Sequence, residues 1–216
     1  MGTSYSCHLI QKYTLLMKGW YNVKHLYIFV LTFMFFTSMA ISADKKPEDE
    51  IIKIGDEVPK FVLKDADDNE YHLEKIIGKE KKELKLLVLV IGDQTTRKNG
   101  NAWAKELDKL YKGKKEIEIL MIADLRGLPF FVTESMVKWG TKRENLPVPI
   151  LLDWKGKISE KYKTKKGEAN IFVVDKEGKI RHYLFGEYSP EKLKELQSKL
   201  KEGIEQKEIK KEALSK

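Results

Sequence analysis

The chain is 216 residues long, 42% hydrophobic and 34% charged, an ordinary globular composition with a heavily solvated surface. Its 41 Lys and Arg outnumber 33 Asp and Glu, for a net charge of +8, and its single cysteine, Cys7, excludes disulfide staples, cysteine-ligated zinc and iron–sulfur clusters. One domain of about 150 residues accounts for most of the chain.

The first 43 residues hold no Asp or Glu. They carry the apolar run Leu26-Tyr-Ile-Phe-Val-Leu-Thr-Phe-Met-Phe-Phe36, with Lys18 and Lys24 ahead of it and Thr37, Ser38, Ala40, Ser42 and Ala43 behind. Basic, then apolar, then small is the order of an export signal, with cleavage expected after Ala43 or, as the alternative, after Ala40. The run is about 11 residues where a membrane-spanning helix needs about 20, so a removed signal is favoured over a retained anchor. Met1 and Met17 both stand as starts, the second giving a signal of more usual proportions. Cys7 would leave with the signal, and the remaining chain would have no thiol to act as a nucleophile. A periplasmic or otherwise exported protein with no stable membrane anchor is therefore expected. From Asp44 onward 38 Lys and Arg face 33 acidic residues, and runs such as Lys112/Lys114/Lys115 and Lys161/Lys163/Lys165/Lys166 read as solvated faces. No nucleic-acid partner is expected, since no recognition motif accompanies them.

Residues 44–50 read as a charged linker, 51–202 as the folded domain and 203–216 as a charged, frayed helical tail. Ile54-Gly-Asp-Glu-Val-Pro-Lys-Phe-Val-Leu63, the turn cluster Asp65-Ala-Asp-Asp-Asn69 and Glu70-Tyr-His-Leu73 predict a hairpin. Leu84-Lys-Leu-Leu-Val-Leu-Val-Ile91 is almost continuously apolar, as a central strand buried on both faces must be. Ala102, Trp103, Leu107, Leu110 and Tyr111 recur at helical spacing, predicting a helix over 101–111 that Gly113 stops. Ile117-Glu-Ile-Leu-Met-Ile-Ala123 predicts a second buried strand, and residues 130–139 a second helix ended by Gly140. That alternation implies a parallel pair with a crossover. Pro149-Ile-Leu-Leu-Asp153 reads as a short strand, and residues 158–162 as a brief helix. Ile171-Phe-Val-Val174 and Lys179-Ile-Arg-His-Tyr-Leu-Phe185 flank Asp175-Lys-Glu-Gly178 as an antiparallel hairpin. Ser189 and Pro190 supply a cap and a first-turn proline for a last helix, with Leu193, Leu196 and Leu200 facing inward.

This order of elements resembles the thioredoxin fold as peroxiredoxins and thiol-disulfide exchange proteins use it. The likeness is carried by Ile54 to Leu63, by Lys85-Leu-Leu-Val-Leu-Val-Ile-Gly-Asp93 and by Ile171-Phe-Val-Val-Asp-Lys-Glu-Gly-Lys-Ile180. It implies an α/β fold: a three-layer α/β/α sandwich with a mixed central sheet, an N-terminal hairpin and a C-terminal helix. In that superfamily the redox cysteine follows the first central strand, at a helix start where backbone N–H groups lower its pKa. Here the window reads Gly92-Asp-Gln-Thr-Thr-Arg-Lys-Asn-Gly-Asn101, placing Arg97 or Lys98 where a thiol would act. The usual cis-proline before the later strand corresponds to about Ala169. Within the superfamily the sequence is similar to the exported YtfJ-type family, which also lacks the cysteines, through Thr95-Thr-Arg-Lys-Asn-Gly-Asn-Ala102 and residues 153–178.

The candidate binding site is accordingly the degenerate redox window: Asp93, Thr95, Thr96, Arg97, Lys98 and Asn101, joined by Arg126 from Asp124-Leu-Arg-Gly-Leu-Pro-Phe-Phe131 and by Ala169. Cations at a helix N-terminus oppose its dipole by roughly 0.3–1 kcal/mol unless an anion offsets them, so exposed N–H groups, two hydroxyls and two cations could hold a carboxylate or phosphate. The competing reading starts the helix at an Asn101 cap and leaves both cations on a loop. For the second segment the competing reading is an Asp124–Arg126 fastening with Phe130 and Phe131 in the core. Trp103, Trp139 and Trp154 read as packing rather than a stacking platform. His72 and His182, on separate strands, suggest no metal site, and no cofactor motif is present. The leading expectation is a non-catalytic cell-envelope module with a protein or peptide partner. The alternatives are an oxidoreductase using a non-thiol group and a binder of a small anion.

Overall fold

The computed structural model describes residues 52–78 and 81–214, with side chains to residue 205. They belong to one compact unit, Asp49–Lys216. The signal expected over 1–43 lies outside the described residues, and so does the linker. Among the described residues no helix is long and apolar enough to cross a membrane.

A short hairpin comes first, β1 (Val62–Lys64) and β2 (Glu70–His72), followed by a single helical turn, α1 (Leu73–Ile76). Then come β3 (Leu86–Gly92), α2 (Arg97–Tyr111), β4 (Ile117–Asp124), α3 (Glu134–Glu144), β5 (Ile150–Asp153) and α4 (Lys157–Lys161). The antiparallel pair β6 (Asn170–Asp175) and β7 (Ile180–Phe185) leads to α5 (Pro190–Leu214). One seven-stranded mixed sheet runs β2-β1-β5-β4-β3-β6-β7. Its inner strands β3, β4 and β5 are parallel, and β6 is antiparallel to β3.

All seven residues of β3 are buried, which is why its sequence alternates nothing: both faces need apolar side chains. Leu87, Leu89 and Ile91 point into one core layer with Leu120, Leu151, Tyr162 and Phe172. Leu86, Val88 and Val90 point into the other, under Trp103, Ala104 and Leu107 of α2 and Leu196 and Leu200 of α5. Gly100 lets α2 sit close, because a Cβ there would come within 2.8 Å of Met121 Cε. Trp103 is fully buried, donates from Nε1 to the Gly186 carbonyl at 3.3 Å, and meets Tyr188 edge-on at 5.4 Å. The expected packing role of that tryptophan is what the fold uses.

Several boundaries differ from the sequence expectation. Helix α2 begins at Arg97 rather than Asn101, because its cap is built further upstream. Helix α3 covers Glu134–Glu144, not 130–139. Thr133 caps it by accepting from Met136 N at 3.3 Å, it runs straight through Gly140, and it ends at Asn145 in the left-handed region, φ 45°. Phe130 and Phe131 are therefore on a surface turn, 100% and 64% exposed, and not in the core. Trp139 is 62% exposed and Trp154 38%, so neither is a core residue. Beyond Gly203, α5 continues as helix to Leu214.

His182 on edge strand β7 has a buried Nε2 with no hydrogen-bond partner; it faces Glu195, 3.6 Å away, with Lys199 and Glu202 also on α5. Burial holds its imidazole below the ordinary value of 6.5, Glu195 opposing and Lys199 adding to the effect. The unfolded chain thus takes up this proton at higher pH than the folded one. The neutral ring's contribution to stability is complete above pH 6.5 and is lost progressively as pH falls below it toward the folded value. Urea midpoints measured from pH 8 to 5 should fall on the acid side for the wild type. His182→Gln should flatten that fall relative to wild type, and an unchanged slope would contradict the assignment.

Candidate functional site

The carboxyl ends of β3 and β4 open onto the start of α2, the place where open α/β sheets bind ligands. Gly92 ends β3, and the chain turns at once into Asp93. Asp93 Oδ1 accepts from Thr95 N (2.8 Å), Thr95 Oγ1 (2.6 Å) and Thr96 N (3.0 Å), while Asp93 N donates to Thr96 Oγ1 at 2.9 Å. This is a reciprocal capping pair one turn ahead of α2. Burial works against the Asp93 charge, yet the donors from Thr95 and Thr96 outweigh it and hold the carboxyl below the usual range. The protein's own carboxylate sits where an external anion was expected.

Arg97 and Lys98 occupy the first turn of α2, with no acidic residue in that turn. Arg97 is ion-paired with Glu144 at the end of α3, and the other oxygen of Glu144 accepts from Asn101 Nδ2 at 2.6 Å. One half-buried carboxylate thereby joins two helices and offsets the unfavourable placement of Arg97. Lys98 is exposed and has no ion pair among the described residues.

Arg126 is fixed as well. Its Nε lies 3.0 Å and its Nη2 2.6 Å from Asp124 Oδ2, and its Nη1 lies 2.7 Å from Glu160 Oε1. Asp124 is 5% exposed; burial opposes its charge, and hydrogen bonds from Arg126 and Ser159 prevail to keep it ionised below the usual range. The Arg126 side chain lies across Gly156, φ 62°, where any Cβ would fall 1.7 Å from its Nε.

Ala169 is fully buried, and its carbonyl accepts from Gly186 N at 2.8 Å. The neighbouring Asn170 was not singled out by sequence, although it organises the whole edge. Its Nδ2 donates to the carbonyls of Lys165 (3.0 Å) and Glu168 (2.7 Å), and its Oδ1 accepts from Lys165 N (2.8 Å) and Tyr183 Oη (2.6 Å). Nothing in a single asparagine announces this. Glu144, Ser159 and Thr164 were equally invisible, since their partners are distant in sequence or on the backbone.

Two cavities of about 360 Å³ each share Gly92, Asp93 and Asp124 as a border. One is apolar and extends under α3; Arg97 and Glu144 stand at its polar end. The other is polar, bordered by Arg126, Ser159, Thr164, Lys165, Lys166 and Glu168 beside Asn170. Of the eight candidate residues, Asp93 borders both cavities, Arg97 the apolar one and Arg126 the polar one. Thr95 and Thr96 serve the cap, Asn101 holds Glu144, and Lys98 and Ala169 border neither.

A mixed sheet with β-α-β then β-β-α connectivity, covered by helices and opening at this edge, is a thioredoxin-like α/β fold. The chain belongs to the AhpC/TSA family, whose model matches residues 54–183. Among solved structures it is similar to the C-terminal domain of a candidate thiol-disulfide oxidoreductase from Bacteroides thetaiotaomicron: 20% identity, 69% of this chain and 97% of that one, TM-score 0.53. A candidate protein disulfide isomerase from the same organism matches at 20% identity over 72% of this chain and 92% of that one, TM-score 0.54. A peroxiredoxin-like protein from Aquifex aeolicus matches at 17% identity, 69% and 88% coverage, TM-score 0.50. At such identities the likeness is one of fold. Among curated proteins none matches significantly.

Proposed function

We propose that this is a non-catalytic binding module of the cell envelope, which presents the edge of a thioredoxin-like sheet to a polypeptide partner. The observation that carries the reading is Arg97. It stands at the first position of α2, where the resemblance places a redox thiol, and it is locked to Glu144. Residues 52–216 contain no cysteine, so the names borne by the similar structures, with their thiol-disulfide chemistry, have no nucleophile here to act through. What the edge retains is a shaped polar cavity with fixed donors and acceptors, suited to backbone and polar side chains of a partner. Export rests on the pattern of residues 1–43, and membership of the cysteine-less YtfJ-type family rests on residues 95–102 and 153–178.

The test is cross-linking in intact cells with the tagged full-length chain, followed by identification of what is captured. A specific envelope protein should be recovered by the wild type and at least tenfold less by Lys165→Glu/Lys166→Glu. Failure to recover any specific partner would count against the module. Purified protein, free of metal and added thiol, that consumed peroxide or exchanged disulfides would establish the oxidoreductase instead. Millimolar phosphate or a dicarboxylate should leave the melting temperature unchanged, because Asp93 already fills the N–H cluster; a rise would favour the small-anion reading.

A further inference from the structure

We propose that the two cavities are halves of one recognition groove: the apolar cavity takes a large apolar side chain of an extended polypeptide segment, and Lys166 meets an acidic residue two positions further along that segment. This rests on the binding-module reading and names the segment that the module selects. The apolar cavity is open rather than closed over, since α3 buries none of its residues. Leu125, Leu128, Val132 and Val137 in its wall are half-buried, and Met136 is exposed. Apolar side chains left facing a hollow of about 360 Å³ make a pocket and not a core. Met121 and Met136 give its wall the flexibility to fit different apolar side chains. Gly140 leaves it room, because a Cβ there would meet nothing within 4 Å.

The seam between the cavities suits a passing backbone. Gly92 puts no side chain there. The donors from Thr95 and Thr96 all converge on Asp93 Oδ1, which leaves Oδ2 of this seam residue to accept a backbone N–H from the partner. Two abutting hollows of about 360 Å³ have centres on the order of 9 Å apart, roughly two to three residues of extended chain at about 3.3 Å each. Residues two apart in such a chain project from one face, so both side chains can point inward together.

Charge specifies the second residue. In the polar cavity Arg126 is paired with Asp124 and Glu160, and Lys165 with Glu168 at 3.0 Å. Lys166 is exposed and has no ion pair among the described residues. It is the uncommitted charge of that wall, and exposed Lys155, Lys157 and Lys161 earlier in the same segment add to its sign. An acidic side chain is therefore drawn in and fixed, and a basic one is repelled.

Fluorescence anisotropy decides the matter, with the full-length protein and a fluorescein-labelled, capped peptide Gly-Ser-Leu-Ser-Glu-Ser-Gly. Binding should saturate, and exchanging the peptide's leucine for serine or its glutamate for lysine should weaken it at least tenfold. Gly140→Leu fills the pocket from a position with room for the side chain; it should weaken binding at least tenfold with the melting temperature unchanged or raised. Lys166→Glu should reverse the choice, so that the lysine peptide binds better than the glutamate peptide. A wild type indifferent to the leucine, a Gly140→Leu protein that binds as well as wild type, or a Lys166→Glu protein that still prefers glutamate would overturn the proposal. So would binding that falls as protein concentration rises, because a second copy would then be the occupant. Cross-linking in cells separates the two readings: capture lost in Lys165→Glu/Lys166→Glu yet kept in Gly140→Leu would retain the module and remove the pocket.

Discussion

Replacing Asp175 by alanine is expected to lower stability by about 3 kcal/mol, a fall in melting temperature of roughly 6–12 °C for a domain of this size. The side chain is completely buried at the mouth of the β6–β7 turn. Its Oδ1 accepts from the backbone N–H groups of Glu177 and Lys179, both at 2.9 Å, and its Oδ2 accepts from Arg181 Nε at 2.5 Å. Removing the carboxylate strips acceptors from the two backbone donors and from the guanidinium. Arg181 is 48% exposed and can turn to water, which places the loss at the low end of the 3–5 kcal/mol usual for broken buried pairs. Arg181→Ala should also destabilise, by leaving a buried charge held by backbone alone. A double-mutant cycle should show the two losses to be strongly non-additive. Additive losses, or an Asp175→Ala loss below about 1 kcal/mol, would mean the turn is held by its backbone geometry instead.

The same turn shows what the sequence makes legible. Asp175-Lys-Glu-Gly178 between two apolar runs states a hairpin locally, because the side chain that closes the turn is inside it. Strands β3, β4 and β6 are legible for a related reason: burial on both faces leaves an apolar run that is unbroken in β3 and in Ile171–Val174 of β6 and interrupted only by Glu118 in β4. The helix starts are less so. Asn101 offers the right chemistry for a cap, yet Asp93 and Thr96 satisfy each other across three residues and move the start of α2 to Arg97. Helix α3 starts later than its sequence pattern suggests because Phe130 and Phe131 supply an apolar spacing that continues into Val137; spacing cannot say whether such a face meets the core or meets solvent. The candidate window lies at the carboxyl edge of the sheet, but the residue that neutralises Arg97 is not legible within it. Glu144 reaches Arg97 from 47 positions away, a pairing that only the packing of α2 beside α3 creates.

Asn170→Ala is expected to cost about 2–3 kcal/mol and to abolish partner capture together with it. The residue is 1% exposed, and all four of its hydrogen-bonding positions are used. Three of them hold the backbone of Lys165 and Glu168, residues that border the polar cavity, so truncation frees the segment that a partner would touch. The fourth ties this segment to β7 through the Tyr183 hydroxyl. Burial pushes that phenol up to about 12, so it stays protonated and able to donate at every ordinary pH. Tyr183→Phe removes only this fourth bond and should cost about 1 kcal/mol. Amide hydrogen exchange separates the two variants. In Asn170→Ala the Lys165 N–H should lose protection while those of β3 keep theirs, and in Tyr183→Phe it should be largely retained. Protection of Lys165 that survives Asn170→Ala would show that the loop holds itself, and the asparagine would then be filling space rather than organising the binding edge.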